Sequence, residues 1–286
     1  MKPTRVVPLA LLALLLAAPA RGLAGQERGK IDDVERSADN AKGNDGGHHD
    51  DDSNGGGFFF FLLRGVFHTF GHRAREAPAF DSGAPPPEPP GQGYLAFPYA
   101  APDAPSSFVL RSVTEGRHFA SFSASYFRDD QSTLRAGQFA FEAAYEQALF
   151  TAEYSFYREP LTTGTDYLHL GHVALSGLGP LGDVGYFKAG LALQGVVTDQ
   201  GDAAGGPGLD LGLQIFPGRP LGVGVTGRVA ALTWRGGPLF GTGFVDAMGT
   251  GSALIGRFEL QAGYRWTRVG VGSPFRGPTL GVRVWF

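Results

Sequence analysis

The last eight residues, Thr279-Leu280-Gly281-Val282-Arg283-Val284-Trp285-Phe286, decide how the rest of the chain is read. Leu280, Val282, Val284 and Phe286 take every second position, and Thr279, Gly281 and Arg283 stand between them. Such alternation marks a strand with one apolar and one polar face. Moving upstream, Phe258, Leu260, Ala262, Tyr264 and Trp266 alternate with Arg257, Glu259, Gln261 and Arg265. Val223, Val225, Val229 and Ala231 alternate with Thr226 and Arg228, and Leu209, Leu211, Leu213 and Ile215 with Asp210, Gly212 and Gln214. Phe187, Ala189, Leu191 and Leu193 oppose Lys188, Gly190, Ala192 and Gln194. Phe150, Ala152, Tyr154 and Phe156 oppose Thr151, Glu153 and Ser155; Phe139, Phe141, Ala143 and Tyr145 oppose Gln138, Glu142 and Glu146. Glu142 and Glu146 are also four apart, as on a helix, but the aromatic alternation around them favours strands.

Alternation suits a soluble sandwich as well as a membrane barrel, and three details favour the barrel. Aromatics (Tyr145, Tyr264, Trp266, Phe286) stand near strand ends on the apolar face, as an interfacial girdle requires. The opposite face mixes Gly, Ser and Thr with full charges. The runs are about ten residues long, which is what a tilted strand needs to cross a bilayer.

The terminus Val282-Arg283-Val284-Trp285-Phe286 resembles the C-terminal assembly signal of bacterial outer-membrane β-barrel proteins, with Val282, Val284 and Phe286 as its alternating apolar positions. The resemblance is strong over the last ten residues and extends by pattern over 117–286. It implies outer-membrane lipid and the barrel assembly machinery as partners, both termini in the periplasm, and an even strand number with short and long connections in turn. Ten strands satisfy this: 117–128, 138–147, 148–158, 166–177, 184–197, 207–216, 220–234, 239–247, 250–266 and 277–286. Eight result if 239–247, the weakest, is dropped and two others merge. The expected fold is thus all-β, an antiparallel transmembrane barrel over 107–286.

The N-terminal part reads differently. Lys2 and Arg5, then an apolar run from Val6 to Ala18 and a small-x-small site at Ala18-Pro19-Ala20, have the layout of a cleaved secretory signal over 1–20. A disordered, acidic, Gly-dotted tract is expected over 21–57. His48-His49-Asp50-Asp51-Asp52 within it reads as solvated charge rather than a metal site. Phe58-Phe59-Phe60-Phe61-Leu62-Leu63 opens a short apolar segment, 58–77, too short to span a bilayer as a helix. His68 and His72 lie in it four apart. A Pro-rich linker follows over 78–106, including Pro85-Pro86-Pro87.

Composition narrows the function classes. The chain has 286 residues with 45 Gly, 23 Phe and no Cys, so disulfides, thiolate metal sites and a cysteine nucleophile are excluded. A net charge of −3 gives no field that points to nucleic acid. The polar phase places Glu142, Glu146, Glu153, Lys188, Arg228, Arg257, Glu259, Arg265 and Arg283 in the lumen. Buried charges must be paired, so an interlocked network in a narrow, closed lumen is expected, with a small polar conduit or a carboxylate cluster as the sharper alternative.

Some small outer-membrane barrels are hydrolases. Omptin-like proteases place paired aspartates and an Asp–His pair at the rim, and Asp129, Asp130, Asp166 and His169 are the weak candidates here. The spacing of Asp166 and His169 departs from that pattern. Outer-membrane lipid hydrolases set a Ser two residues after a His, but His118, His169 and His172 are followed at that distance by Ala120, Gly171 and Ala174. No cofactor or metal site is read. The expectation is an exported protein of a Gram-negative outer membrane with a structural, interaction or narrow-pore role. The rivals are a rim-site hydrolase and a secreted soluble sandwich or barrel that binds apolar ligands.

Overall fold

A computed structural model describes residues 29–42, 93–94, 97–99, 109–110, 118–162, 164–182 and 184–286. The signal, the two histidine pairs, the apolar segment 58–77 and most of the linker therefore lie outside the described residues. Ten strands form one sheet: β1 (His118–Arg128), β2 (Arg135–Tyr145), β3 (Ala148–Pro160), β4 (Thr165–Pro180), β5 (Gly185–Thr198), β6 (Ala203–Gly218), β7 (Leu221–Trp234), β8 (Thr242–Ile255), β9 (Phe258–Val269) and β10 (Phe275–Trp285). Each pairs antiparallel with the next, and β10 returns to β1, from Thr279 opposite Phe127 to Trp285 opposite Ser121. Closure leaves no strand edge to be covered. This is a single-walled up-and-down barrel, not a two-sheet sandwich.

One predicted break is corrected. The chain does not turn at Met248–Gly249, because β8 runs through it to Ile255. The turn falls at Gly256–Arg257, where Gly256 takes φ +60°. Gly249 and Gly251 weaken a strand in isolation, but both are paired on both sides, opposite Tyr264 and Ala262 of β9 and Val225 and Val223 of β7.

Strand phase sorts the side chains into two populations. Outward positions carry Phe122, Phe139, Tyr154, Leu175, Leu191, Leu211, Val225, Val245, Leu260 and Val282, one from each strand in order, with Leu191 74% exposed. Val284 and Phe286 share this outward phase with Val282, while Trp285 between them points inward and is fully buried. Inward positions form three layers. At the mouth with the longer connections, Phe127, Leu134, Tyr157, Leu168, Trp234 and Phe275 belong to one apolar cluster. At the opposite mouth Phe119, Leu149, Tyr186, Phe216 and Trp285 belong to another. Charges occupy the middle.

A helix, α1 (Lys30–Lys42), closes the first mouth. This corrects the expectation of disorder for that stretch. Ile31, Val34 and Ala38, at i, i+3 and i+7, form one apolar stripe that joins the barrel's own cluster. The helix start is satisfied twice. Asp32 accepts a hydrogen bond from the Gly29 N–H at 2.9 Å, and Glu159 of β3 accepts one from the Ile31 N–H at 3.0 Å. Lys30 reaches the Asp129 carboxylate at 2.9 Å, and Lys42 pairs with Asp202. Too few apolar residues stand in 30–42 for an independent fold, so the mouth supplies the other half of its core.

The second mouth also takes a cap from the N-terminal part. Gly93–Tyr94, in the predicted linker, pairs antiparallel with Val109–Leu110, just beyond its predicted end. Tyr99 lies edge-on against Phe216, donates its hydroxyl to the Leu221 carbonyl at 2.7 Å and accepts the Gly218 N–H at 3.0 Å. Arg257 sits over the ring of Phe97.

Candidate functional site

The charged middle layer is one connected chain of ion pairs. Glu259 of β9 faces Arg283 of β10 at 4.0 Å, and Arg283 faces Glu142 of β2 at 3.8 Å. Glu142 meets Lys188 of β5 at 3.4 Å, which is 2.9 Å from Asp210 of β6. Arg228 of β7 takes Asp210 at 3.3 Å and Glu153 of β3 at 2.7 Å. Glu153 holds Arg265 of β9 at 3.0 Å, and Arg265 holds Asp246 of β8 at 2.7 Å. His172 of β4 shares Gln194 at 3.2 Å and lies 3.8 Å from Asp210. Glu153 thus reaches across the barrel, from β3 to β7 and β9, and ties opposite walls together.

Each member is placed by strand parity, since inward residues recur every second position. Room is made locally: a Cβ on Gly212 would lie 2.7 Å from the Lys188 side chain, so the glycine leaves the channel through which that lysine extends. A cavity of about 60 Å³ remains, lined among others by Ser123, Gln138, Glu142, Lys188, Arg228 and Arg283. That is space for a few water molecules and no larger solute. Gln138 Nε2, Glu142 Oε2, Arg283 Nε and Thr279 Oγ1 have no protein hydrogen-bond partner, and their residues line this cavity. A hydrated polar cavity suits them.

The structure places Glu142, Glu153, Lys188, Arg228, Glu259, Arg265 and Arg283 in the lumen and leaves two of the predicted residues out. Glu146 forms the β2–β3 turn at φ 54°, and Arg257 forms the β8–β9 turn; both are exposed. Each stands at the end of an alternating run, where a turn interrupts the phase. Sequence reasoning missed Asp210, Asp246 and His172. Asp210 was legible, because it occupies the polar phase of the Leu209–Ile215 run. Asp246 was hidden by the misplaced end of β8.

The rim candidates are not brought together. Asp129 is buried and saturated by Lys30, the Gln131 N–H and the Arg276 N–H. Asp130 accepts from the Tyr264 hydroxyl at 2.8 Å and faces Arg276 at 3.7 Å. Asp166 is on the inward phase of β4, against the helix, where it meets Asp32. His169 is on the outward phase, with Nδ1 2.6 Å from the Tyr154 hydroxyl. Asp166 and His169 therefore sit on opposite sides of the wall. Among the described residues no cluster of three or more His, Asp or Glu has the arrangement to hold a metal ion.

Fold and site define a class: a closed ten-stranded antiparallel barrel with an apolar exterior, an ion-paired lumen and a cap on each mouth. No protein-family model matches the chain, and no curated protein matches it.

Proposed function

We propose that this chain is an exported outer-membrane β-barrel protein of a Gram-negative bacterium, with a structural or interaction role and a lumen that is closed at rest. One observation carries the reading. All ten strands present apolar side chains to the outside, while lysine, arginine and carboxylates fill the inside. A water-soluble barrel has the reverse arrangement, and an apolar belt around a whole barrel calls for lipid. The polar centre with two apolar seals also disfavours a carrier of apolar ligands. The aromatic terminus, with Val282 and Phe286 outward, suits recognition by the barrel assembly machinery.

The test uses the absence of cysteine. The full-length protein in detergent is expected to migrate differently on a gel when boiled and unboiled, and to give no steady conductance in a planar bilayer at neutral pH. Single-cysteine variants Leu239→Cys, in the exposed β7–β8 loop, and Glu146→Cys, at the other mouth, are then exposed to an impermeant thiol reagent on intact cells. Only Leu239→Cys should react, which puts the mouth with the longer connections outside. A protein that stays soluble and monomeric after detergent removal, with no band shift, would sink the proposal.

A further inference from the structure

The outward face of the barrel carries a basic row at one end only. Reading the outward phase of all ten strands gives no Asp, Glu or Lys, and five arginines: Arg268, Arg276, Arg128, Arg135 and Arg158. They belong to β9, β10, β1, β2 and β3, which are consecutive around the wall, and all lie at the α1 mouth. The opposite end of the outward face shows Tyr145, Leu221, Ile255, Phe258 and Phe286 and no arginine.

Three of the five are in direct register. Arg128 pairs opposite Arg135, and Arg135 opposite Arg158. Side chains directly opposite on adjacent strands have Cβ atoms roughly 5 Å apart, and like charges there repel. Arg276 has Asp130, and Arg268 donates to the Val271 carbonyl at 3.3 Å. Arg128, Arg135 and Arg158 have no ion pair among the described residues, and all three are exposed. Three like charges held side by side by backbone pairing repel one another, and the neighbouring wall supplies no counter-charge to them.

The surroundings say where that charge comes from. Tyr167 stands opposite Arg158. One step below the row, Gly137 lies between Tyr126 and Phe156 and has nothing near where a Cβ would be. The result is an apolar groove between two rings that opens under the guanidinium groups. Guanidinium forks match phosphate oxygens in pairs, and the tyrosine hydroxyl adds a donor at headgroup depth. We propose that Arg128, Arg135 and Arg158 bind the phosphate groups of a phosphorylated lipid headgroup in the leaflet at the α1 mouth, with an acyl chain along the Gly137 groove. The inference rests on the membrane reading above and names the lipid partner that the reading leaves open.

The test is native mass spectrometry of the full-length protein in neutral-detergent micelles. The probes are a bis-phosphorylated glucosamine lipid (lipid A), its dephosphorylated form, phosphatidylcholine and inorganic phosphate. The wild type should retain the phosphorylated lipid selectively. The triple variant R128Q/R135Q/R158Q should bind it roughly a hundredfold more weakly while keeping its boiled-against-unboiled band shift. R128K/R135K/R158K should recover part of the affinity, and R219Q/R257Q at the other mouth should change nothing. Unchanged lipid binding by the glutamine triple overturns the inference. So does equal binding of the dephosphorylated lipid or phosphatidylcholine, or displacement by inorganic phosphate alone. A band shift without lipid selectivity removes this inference and leaves the barrel reading intact; loss of the shift in the wild type removes both.

Discussion

Replacing Glu153 with leucine is expected to destabilise the folded barrel by about 3–5 kcal/mol, the usual effect of stripping one partner from a buried ion pair. Arg228 and Arg265 both depend on this carboxylate, at 2.7 and 3.0 Å, and both are almost wholly buried. The leucine leaves the two guanidinium groups facing each other across the lumen with only Asp210 and Asp246 to divide between them. Glu153→Gln should fall between the two, since the amide oxygen still accepts one hydrogen bond while the charge is lost. The measurement is the urea midpoint of the detergent-folded protein. Asp33→Ala, which removes an i,i+3 pair with Arg36 on α1 and a long hydrogen bond from the Ser273 N–H at 3.3 Å, both at the surface, is the control and should move it by less than about 1 kcal/mol. A further variant, E153L/R228M/D246N/R265M, should regain most of the loss, because it removes two anions with two cations and leaves Asp210 its partner Lys188. If Glu153→Leu and Asp33→Ala have equal effects, the lumen network does not hold the walls together.

How much of this was legible in the sequence depended on the range of the interaction. Period-two alternation reports only which face a residue takes. It therefore located the wall and put Glu142, Glu153 and Arg228 inside it. It failed where phase is interrupted, at Glu146 and Arg257, because a turn residue belongs to neither face. Register is a different matter. Arg128, Arg135 and Arg158 are unremarkable apart and become a row only when β1, β2 and β3 are paired. The helix was missed for a third reason. Ile31, Val34 and Ala38 have helical spacing, but they are sparse among acids and have too little apolar area to order alone. Their partners, Phe127, Tyr157 and Trp234, come from strands far along the chain. A segment that folds only against a surface assembled elsewhere leaves a weak local signal.

The two caps also explain why the middle of the barrel is polar. Apolar clusters at the mouths supply sealing without help from charge. The centre can then hold ion pairs that fix the relative positions of opposite strands, an arrangement that costs desolvation but tolerates few alternative registers. Sliding β7 by one residue would turn Arg228 to the outside and leave Glu153 with Arg265 alone and Asp210 with Lys188 alone.

Raising the pH from about 5 to about 9 is expected to loosen α1 from its mouth. Burial, then the Asp199 carboxyl beside it, and then Asp166 and Asp32 push the Glu35 carboxyl up from 4.5 to about 8. Asp199 follows β5, Asp166 belongs to β4 and Asp32 lies on the helix itself, so docking gathers acids from three sides. A carboxyl whose value is higher docked than free takes up a proton on docking. Its contribution is complete below 4.5 and is lost as the pH rises through about 8. The docked-to-released ratio should fall by up to about tenfold per pH unit in that window, and by less to the extent that water screens this partly exposed group. The Lys30–Asp129 and Lys42–Asp202 pairs also tie the helix to the mouth and resist release. A spin label on Arg36→Cys should therefore be slow at pH 5 and mobile at pH 9, and Glu35→Gln should keep it slow at both. A label equally slow at both values in the wild type, or a Glu35→Gln protein that still responds, would mean that the ion pairs and the Ile31–Val34–Ala38 stripe hold the cap without regard to this carboxyl.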